Sequence, residues 1–369
     1  MEHVPIIYDF QAFTMQRFGG ISRYFCEIIS RVKSKRDIAL RYSINYYLSI
    51  CHIAAHRIPI PRFLYKHFKS YCTRKNIRLA ERLLQTEKEY IFHPTYYNPY
   101  FLKYIGNHPY VVTVHDMIHE RFPSVFTDAE TMIQYKKEVI TGASRIIAIS
   151  KYTKNDIIDL LHIAPDKIDV IYHGTSMKPF TGKYKLNLPK RYLLYVGDRA
   201  PYKNFKRLSK VFSLLQKEDP ELFLVYTGKS LKSSEKEYIE KLGILKKLIC
   251  IKASDKELSE LYNRALLFVY PSLYEGFGIP ILEAFACNCP IALSRTSCFP
   301  EIAGDAASYF DPYSEESMLE AIKQVIYHPQ KRKKLIAAGN IRIELYSWEK
   351  AAKETEMVYQ KVKSEYFKQ

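Results

Sequence analysis

The chain contains 369 residues, of which 47% are hydrophobic, and it has a formal net charge of +17 at pH 7. The length exceeds that of one common domain and fits two α/β domains, and no window of about 18 apolar residues indicates a membrane span. The excess of positive charge predicts an anionic partner of one of three kinds: nucleic acid, a membrane surface or a phosphorylated substrate.

The cysteines and the N-terminal residues of the chain indicate its cellular compartment. The seven cysteines are an odd number, and none of them has the C-x2-C spacing of a zinc site. The N-terminal residues lack the basic and apolar zones of a signal peptide. We therefore expect reduced thiols in a cytoplasmic protein.

The first predicted element is a strand over residues 4–10. Gly19 and Gly20 then open a helix that runs to about Val32. Two glycines at a strand-to-helix turn allow a ligand to approach the backbone closely. A turn required only by packing is the alternative interpretation.

Residues 56–82 form the most basic region of the chain. Phe63, Phe68 and Tyr71 are interleaved with the cations at partly helical spacing, and Glu81 is the single acid. A basic amphipathic segment with aromatic residues fits an anionic membrane surface. A solvated helix face fits equally well. The cations are Arg57, Arg62, Lys66, Lys69, Arg74, Lys75, Arg78 and Arg82.

A buried strand is predicted over residues 110–114, and His115 and Asp116 follow it. Ligands gather outside the carboxyl ends of parallel strands, so both residues are candidate site residues. A lone histidine is more often structural, and Asp116 is as well suited to orient its neighbour or to cap the next segment.

The chain order predicts four segments. Proline and glycine between two strand-and-helix regions indicate a linker that acts as a hinge. The segments are a first domain of residues 1–175, the linker at 176–190, a second domain of residues 191–345 and a terminal helix at 346–369.

The second domain begins with a strand that ends at Gly197, and the following loop contains Arg199 and Lys203. Two cations at the carboxyl end of a strand can neutralise a diphosphate, and arginine can bind it through two parallel hydrogen bonds. Exposed loop cations without a ligand are the alternative.

A third segment has the strongest local pattern. The apolar run 265–270 predicts a buried strand, Gly276 and Gly278 predict a tight turn, and Pro280 occupies a position favoured at the start of a helix, which should run to about Ala286. Unpaired backbone N–H groups at such a helix start bind phosphate well.

Two carboxylates, Glu275 and Glu283, flank this turn. Neither can bind phosphate, because like charges repel, but a carboxylate can accept two hydrogen bonds from a vicinal diol. The segment therefore fits a ligand with a diphosphate in its middle and a polyol at each end, which is a nucleotide sugar. A turn residue and an exposed helix carboxylate are the alternative interpretation.

The stretch from Glu275 to Glu283 resembles the E-x7-E motif of retaining glycosyltransferases of family 4, and the resemblance covers nearly the whole chain. The V-T-V-H-D-x-I and G-x-R-x-x-x-K-N patterns resemble other motifs of the same family. The resemblance implies the α/β fold called GT-B, in which two Rossmann-like domains face each other across a deep cleft and a terminal helix crosses back to the first domain. It also implies transfer with retention of the anomeric configuration.

The resemblance assigns roles to particular residues. Glu275 would bind hydroxyl groups of the donor sugar, Glu283 the ribose diol, and His115 the sugar from the first domain. Because no Asp-x-Asp motif occurs in a suitable loop, we expect no essential metal and no cofactor beyond the nucleotide sugar. The remaining donor-binding candidates are Gly19, Gly20, Arg199, Lys203, Gly276, Phe277, Gly278 and Ile279.

The predicted function is transfer of a hexose, with GDP-mannose as the expected donor, to a growing lipid-linked glycan of a surface polysaccharide such as lipopolysaccharide. The enzyme would be cytoplasmic, with a peripheral position on the membrane as one interpretation of residues 56–82. UDP-hexose and deoxysugar donors stay open, as does an epimerase or a phosphorylase of the same architecture. A dinucleotide-binding enzyme fits less well, since Ile281 stands where its motif needs a third glycine. A nucleic-acid-binding protein would require a recognition motif, and the sequence has none.

Overall fold

The computed structural model describes residues 4–53, 58, 60–183 and 185–367, without the side chain of Arg62. Its contacts divide the chain into two units, one comprising Met1–His173 with Ser347–Gln369 and the other Gly174–Tyr346. Residues 176–190, predicted as a linker, belong to the second unit, and the terminal helix belongs to the first.

The first unit is built on parallel strands. Their order is β2-β1-β3 and β4-β5-β6, and a bridge between Phe92 and Tyr110 joins β3 to β4. The order reverses between β1 and β3, which is where ligands bind in open α/β sheets. The strands are β1 (Ile6–Tyr8), β2 (Arg36–Ile38), β3 (Ile91–His93), β4 (Val111–Val114), β5 (Arg145–Ala148) and β6 (Ile168–Val170).

Strand residues of the first unit alternate between two apolar cores. Ile6 and Tyr8 belong to one core, whereas Ile7 between them belongs to the other. Because side chains alternate across a strand, both faces of the sheet are covered, as the continuous apolar runs predict. The helices up to residue 161 are α1 (Gln11–Met15), α2 (Gly20–Arg31), α3 (Tyr47–Ile50), α4 (Arg62–His67), α5 (Lys69–Leu84), α6 (Ile118–Arg121), α7 (Ala129–Gly142) and α8 (Lys151–Leu161).

The start of the first unit differs from the sequence prediction, and its basic region is helical. The strand predicted over residues 4–10 is shorter, and α1 lies between it and Gly19, so the predicted direct strand-to-helix turn is wrong. A helix of five residues is too short for a 3.6-residue period to be visible. The basic region forms α4 and α5, while Arg57 lies outside the described residues.

The second unit contains a six-stranded parallel sheet with the order β12-β11-β10-β7-β8-β9. The order reverses between β7 and β10, which are neighbours. The loops that follow these two strands therefore meet at the same edge of the sheet. The strands are β7 (Tyr192–Tyr195), β8 (Phe223–Thr227), β9 (Leu248–Ile251), β10 (Leu267–Tyr270), β11 (Ile291–Ser294) and β12 (Ala307–Phe310).

The remaining helices complete both units. The last one returns to the first unit, where its apolar face joins the core formed with β1 and α2. Ser347 caps it, since its hydroxyl accepts a hydrogen bond from the N–H of Lys350 at 3.0 Å. No helix among the described residues is long and apolar enough to cross a membrane. These helices are α9 (Phe205–Glu218), α10 (Ser233–Lys241), α11 (Asp255–Arg264), α12 (Ile279–Ala286), α13 (Phe299–Ala303), α14 (Glu315–Ile326), α15 (Pro329–Arg342) and α16 (Trp348–Tyr366).

Candidate functional site

The glycine turn between β10 and α12 has the geometry that the sequence predicts. Gly278 is the N-cap of α12 and has φ +84°, in the left-handed region. A Cβ atom at this position would lie 3.0 Å from the Phe299 ring. Glycine is therefore required both by the backbone conformation and by the neighbouring ring.

Lys203 and Glu275, predicted separately on two loops, are in direct contact. The Lys203 Nζ lies 2.6 Å from the Glu275 Oε1, and only 14% of each side chain is exposed. The two loops are also joined by a hydrogen bond of 2.7 Å from the Leu273 N–H to the Tyr202 carbonyl. The contact follows from the sheet order, because β7 and β10 are adjacent where that order reverses.

The electrostatics of this pair favour a charged lysine. Burial alone lowers the pKa of Lys203, but the Glu275 carboxylate outweighs it and raises the pKa above its usual value. The Lys203 ammonium also lies 5.8 Å from the centre of the Tyr270 ring. Burial and the same carboxylate raise the pKa of Tyr270, so its hydroxyl remains a hydrogen-bond donor.

Glu283 is not an exposed helix carboxylate. It lies in α12, its residue is 6% exposed, and the Tyr262 hydroxyl donates to its Oε2 at 3.3 Å. The ring of Phe277 is likewise buried and packs edge-on against Tyr346, with 5.9 Å between ring centres. Phe277 therefore fixes the turn through its side chain, and any ligand contact would come from its backbone.

Arg199 has different partners from Lys203. Its Nε and Nη2 donate to the two carboxylate oxygens of Glu235 at 2.9 and 3.1 Å. The carbonyl groups of Lys229 and Ser230 accept two further hydrogen bonds at 2.8 and 3.0 Å. Arg199 therefore fastens the loop after β8 to the start of α10.

The glycines after β7 and β8 bring these two loops close together. Gly228 has φ +100°, and a Cβ atom there would lie 3.3 Å from the Gly197 carbonyl oxygen. Arg199, on the first of these loops, binds the carbonyl groups of the second. The arginine thus stabilises a closely packed pair of turns at the carboxyl edge of the sheet.

In the first unit, Gly19 and Gly20 lie at the start of α2. Gly19 is its N-cap with φ −177°, an extended conformation that any residue adopts, and its carbonyl accepts the Arg23 N–H at 3.0 Å. A Cβ atom on Gly20 would meet no atom within 4 Å. The backbone conformation therefore does not require Gly20, and the space beside it is open.

His115 follows β4 and is buried, with 7% of the residue exposed. Its N–H donates to the Tyr97 hydroxyl at 2.9 Å, and its ring packs edge-on against Tyr24 at 5.1 Å between centres. The Nε2 atom is buried and has no hydrogen-bond partner among the described residues. Buried polar atoms are normally paired, so this nitrogen is available to a ligand.

The charge state of His115 follows from its surroundings. Burial lowers its pKa to about 4, Asp116 opposes that change, and Lys136 adds to it. The imidazole is therefore neutral near pH 7 and can form a hydrogen bond without carrying a positive charge.

Asp116 has a structural role, as one of the sequence interpretations proposed. Its Oδ1 accepts the Ile118 N–H at 3.0 Å and so caps α6. The buried Lys136 Nζ binds the Asp116 carbonyl at 2.9 Å, the Asp116 Oδ1 at 3.2 Å and the Glu120 Oε2 at 3.2 Å. Lys136 therefore fixes the backbone next to His115, and nothing in its sequence context indicated this.

A buried hydrogen-bond network lies behind His115 and reaches α16. The two ring nitrogens of His93 bind the Tyr359 hydroxyl at 2.7 Å and the Thr113 hydroxyl at 3.0 Å. The Tyr359 hydroxyl also bonds that of Tyr8 at 2.8 Å, and Thr113 bonds the Tyr24 hydroxyl at 3.1 Å. Tyr24, which contacts the His115 ring, is thus connected to the last helix of the chain.

Among the residues that the structure describes, no three His, Cys, Asp or Glu side chains are grouped so that they could bind a metal ion.

Comparisons with known proteins agree on one family and one fold. Residues 18–178 match the family described as Glycosyltransferase Family 4, and residues 178–342 match Glycosyl transferases group 1. The O-antigen chain mannosyltransferase B of Escherichia coli is 27% identical to this chain, over 92% of it and 95% of that protein.

Two solved structures cover almost the whole chain. Sucrose-phosphate synthase from Thermosynechococcus elongatus has a TM-score of 0.76 at 18% identity, covering 99% of this chain and 100% of its own. Anabaena Alr3699/HepE in complex with UDP and glucose has a TM-score of 0.73 at 16% identity, covering 97% and 100%. At such identities the likeness concerns the fold.

Proposed function

The chain belongs to the glycosyltransferases of family 4 and has the GT-B fold, and we propose that it transfers a hexose from a nucleotide sugar to a growing glycan with retention of the anomeric configuration. The observation that carries this proposal is the buried contact between Lys203 and Glu275 beside the start of α12. It joins a cation suited to a diphosphate with a carboxylate suited to sugar hydroxyls.

Cleavage of a bond between a sugar and a diphosphate adds negative charge to the leaving phosphate. Preorganised donors aimed at that charge give the largest single contribution to rate in many enzymes. We assign this role to Lys203 and to the backbone N–H groups of Phe277, Gly278 and Ile279 at the N-terminal end of α12. Arg199 adds positive charge and stabilises the turn after β8.

Two carboxylates bind the two ends of the donor in this proposal. Glu275 can accept a hydroxyl of the sugar while it still contacts Lys203, because a carboxylate has several acceptor positions. Glu283, with Tyr262 beside it, accepts from the ribose diol. In the same proposal, the unpaired Nε2 of His115 forms a hydrogen bond with a hydroxyl group of the sugar. Because the imidazole is neutral, it does not repel the positive charge that develops on the sugar ring.

The expected donor is GDP-mannose, and the expected product is a surface polysaccharide of the O-antigen kind. The support is the E. coli O-antigen mannosyltransferase, which matches the chain over nearly its full length. UDP-glucose is the second candidate, because a structure of the same fold is a complex with UDP and glucose. We propose that the reaction needs no metal ion.

The acceptor is proposed to be lipid-linked, with the enzyme on the cytoplasmic side of an anionic membrane. In α4 and α5, Phe63, Phe68 and Tyr71 expose 65%, 55% and 44% of their surface beside the basic residues. Exposed aromatic and basic side chains together favour the interface of an anionic bilayer.

The test begins with a thermal-shift screen of nucleotide sugars, since a ligand that binds the folded state raises the unfolding temperature by mass action. The best donor is then incubated with lipid-linked glycan acceptors, with and without EDTA. We expect acceptor-dependent release of the nucleoside diphosphate, unaffected by EDTA, and a product with the anomeric configuration of the donor. Release of the nucleoside diphosphate at the same rate without acceptor would contradict a transferase. A product with inverted anomeric configuration would contradict the proposed stereochemistry.

A further inference from the structure

A small basic hollow lies in the first unit, between α5 and the segment that follows β2. Its volume is about 260 Å³, and its lining includes Arg41, Lys75, Arg78 and Arg82 together with Tyr42 and Tyr71. No Asp or Glu lines it. The volume is slightly below the ~300–1,000 Å³ of pockets for drug-sized molecules, so a compact group fits it.

The helix geometry explains why these side chains converge. Tyr71, Lys75, Arg78 and Arg82 recur at intervals of four, three and four residues, which places them on one face of α5. The neighbouring face of α5 is buried in the core through a different set of residues, namely Cys72, Asn76, Ala80 and Leu84. The basic face is therefore held in a fixed orientation.

The opposite wall is also fixed. The buried Asn76 side chain accepts the N–H groups of Arg41 and Tyr42, both at 2.9 Å, and donates to the Tyr42 carbonyl at 3.0 Å. The rings of Tyr42 and Tyr71 lie 6.3 Å apart. Asn76 thus fastens the segment after β2 to α5, the two parts of the chain that line the hollow.

Four cations in one hollow repel one another, and like charges one helical turn apart destabilise a helix. None of the four forms an ion pair with a carboxylate among the residues that the structure describes. A bound anion would remove this repulsion. Phosphate is the anion that suits arginine, whose planar group forms two parallel hydrogen bonds to it, and tyrosine hydroxyls add further donors.

The hollow is separate from His115, the residue of the first unit that is assigned to the donor sugar. It follows β2, whereas His115 follows β4, and the order β2-β1-β3-β4 places these strand ends about 14 Å apart at the usual strand spacing. Both lie at the carboxyl edge of the same sheet. That position fits a phosphate carried by the acceptor.

We propose that this hollow is a binding site for the phosphate or diphosphate group of a phosphorylated glycan acceptor. The assignment to the acceptor rests on the proposed transfer reaction, whereas phosphate binding in the hollow does not. A lipid-linked diphosphate and a phosphate on a soluble glycan share this chemistry.

Inorganic pyrophosphate is the first probe, titrated by calorimetry into the full chain carrying Lys203→Met, which weakens the donor site. In this background, the pair Arg78→Gln and Arg82→Gln should weaken pyrophosphate binding about tenfold or more, because charge-assisted hydrogen bonds are lost. The matched pair Lys69→Gln and Arg74→Gln removes the same charge from α5 outside the hollow. It should change binding less than about threefold at physiological salt, where distant charges are screened.

Vesicles then separate the sources of the phosphate. Phosphatidylcholine vesicles containing phosphatidic acid are compared with vesicles in which oleate supplies the same charge. The phosphate belongs to a lipid if the protein prefers phosphatidic acid vesicles, and if both added pyrophosphate and the Arg78/Arg82 double variant abolish that preference. The phosphate belongs to a soluble glycan if the protein binds both kinds of vesicle equally and still binds pyrophosphate.

Two outcomes would overturn the site. Equal weakening of pyrophosphate binding by both variant pairs would mean a diffuse positive surface, and absence of pyrophosphate binding in the Lys203→Met protein would mean no second anion site. Equal unfolding temperatures of the two pairs exclude misfolding as the cause. The thermal-shift screen of nucleotide sugars is done on the protein with an unaltered hollow. A failure of the proposed transferase function can therefore be distinguished from a failure of the proposed phosphate site.

Discussion

The two units have related sheets, but their site residues depend on different parts of the sequence. In the second unit, Lys203, Glu275 and Glu283 are positioned by two short loops and one helix. In the first unit, His115 depends on side chains far along the chain, including Tyr97 and the network that ends in α16. Local turn geometry positions the candidate residues of the second unit, and long-range packing positions those of the first.

The units also differ in their histidines. His93, His115 and His173 of the first unit are buried, whereas the only histidine in residues 174–346 of the sequence is the exposed His328. The first unit therefore contains buried groups that resist protonation. The buried charged groups of the second unit include the pair Lys203 and Glu275.

The largest effect is expected from Lys203→Met. It removes the buried cation assigned to the leaving diphosphate, so the turnover number should fall at least about 100-fold, the usual loss for one strong transition-state donor. Steady-state kinetics with the best donor from the thermal-shift screen measure it. Lys203→Arg, which retains the charge, should keep more of the activity than Lys203→Met.

An unchanged turnover number in folded Lys203→Met protein would remove this residue from the mechanism. The comparison between the units would then lose its main support, because the locally positioned residues of the second unit would not perform the chemistry. Glu275→Gln is the companion variant, and it should raise the KM for the donor as well, since it changes a group assigned to the sugar.

The next largest effect is expected from mild acid, which should destabilise the first unit more than the second. Burial lowers the pKa of His93 to about 3, that of His115 to about 4, and that of His173 well below its usual value. In the unfolded chain these groups bind protons near pH 6.5, so the free energy of unfolding falls as the pH decreases below that value. The loss is about 2 kcal/mol for each histidine between about pH 6.5 and pH 5.

Hydrogen exchange followed by mass spectrometry can measure this for each unit. Peptides from β1, β3 and β4 should lose protection at pH 5, after correction for the intrinsic exchange rate, whereas peptides from β7 and β10 should change little. Equal loss in both sheets would show that the buried histidines do not govern acid sensitivity. His328→Gln is the control, and it should have no effect.

Sequence reasoning predicted the local geometry around the candidate residues better in the second unit than in the first. The family and fold class are confirmed, and the turn from β10 to α12 is confirmed because its signals are contiguous: an apolar run, then Gly278, then Pro280. The contact between Lys203 and Glu275 follows once the two strands are known to be neighbours. The short helix α1 was missed, because five residues show no period.

Other partners could not be found from the sequence. Tyr262 beside Glu283 and Tyr97 beside His115 are two among 31 tyrosines, so neither stands out. Lys136 contacts Asp116 across twenty positions of the chain. Such contacts arise only when the helices have packed on the sheet, which is why the first unit was the harder one to predict.

Arg199→Ala should have a smaller effect than Lys203→Met. The Arg199 donors are engaged by Glu235 and by two loop carbonyl groups, so the change acts partly through the loop after β8. We expect the turnover number to fall about tenfold, less than the loss of a direct transition-state donor. Glu235→Gln keeps the arginine but weakens its anchor, and a similar loss in that variant would assign Arg199 to the loop. Full activity of Glu235→Gln with a 100-fold loss in Arg199→Ala would instead assign it to the diphosphate.

The smallest effect is expected from Tyr359→Phe, which tests the long-range half of the comparison. The change removes the buried hydroxyl that joins Tyr8 and His93 to α16, at 2.8 and 2.7 Å. Loss of a buried hydrogen bond costs about 1–2 kcal/mol, so peptides of β1, β3 and α2 should exchange faster while those of the second unit do not. Tyr366→Phe, at an exposed position of the same helix, is the control. If both variants behave alike, α16 stabilises the first unit through apolar packing alone. The hydrogen-bond network behind His115 would then not couple α16 to His115.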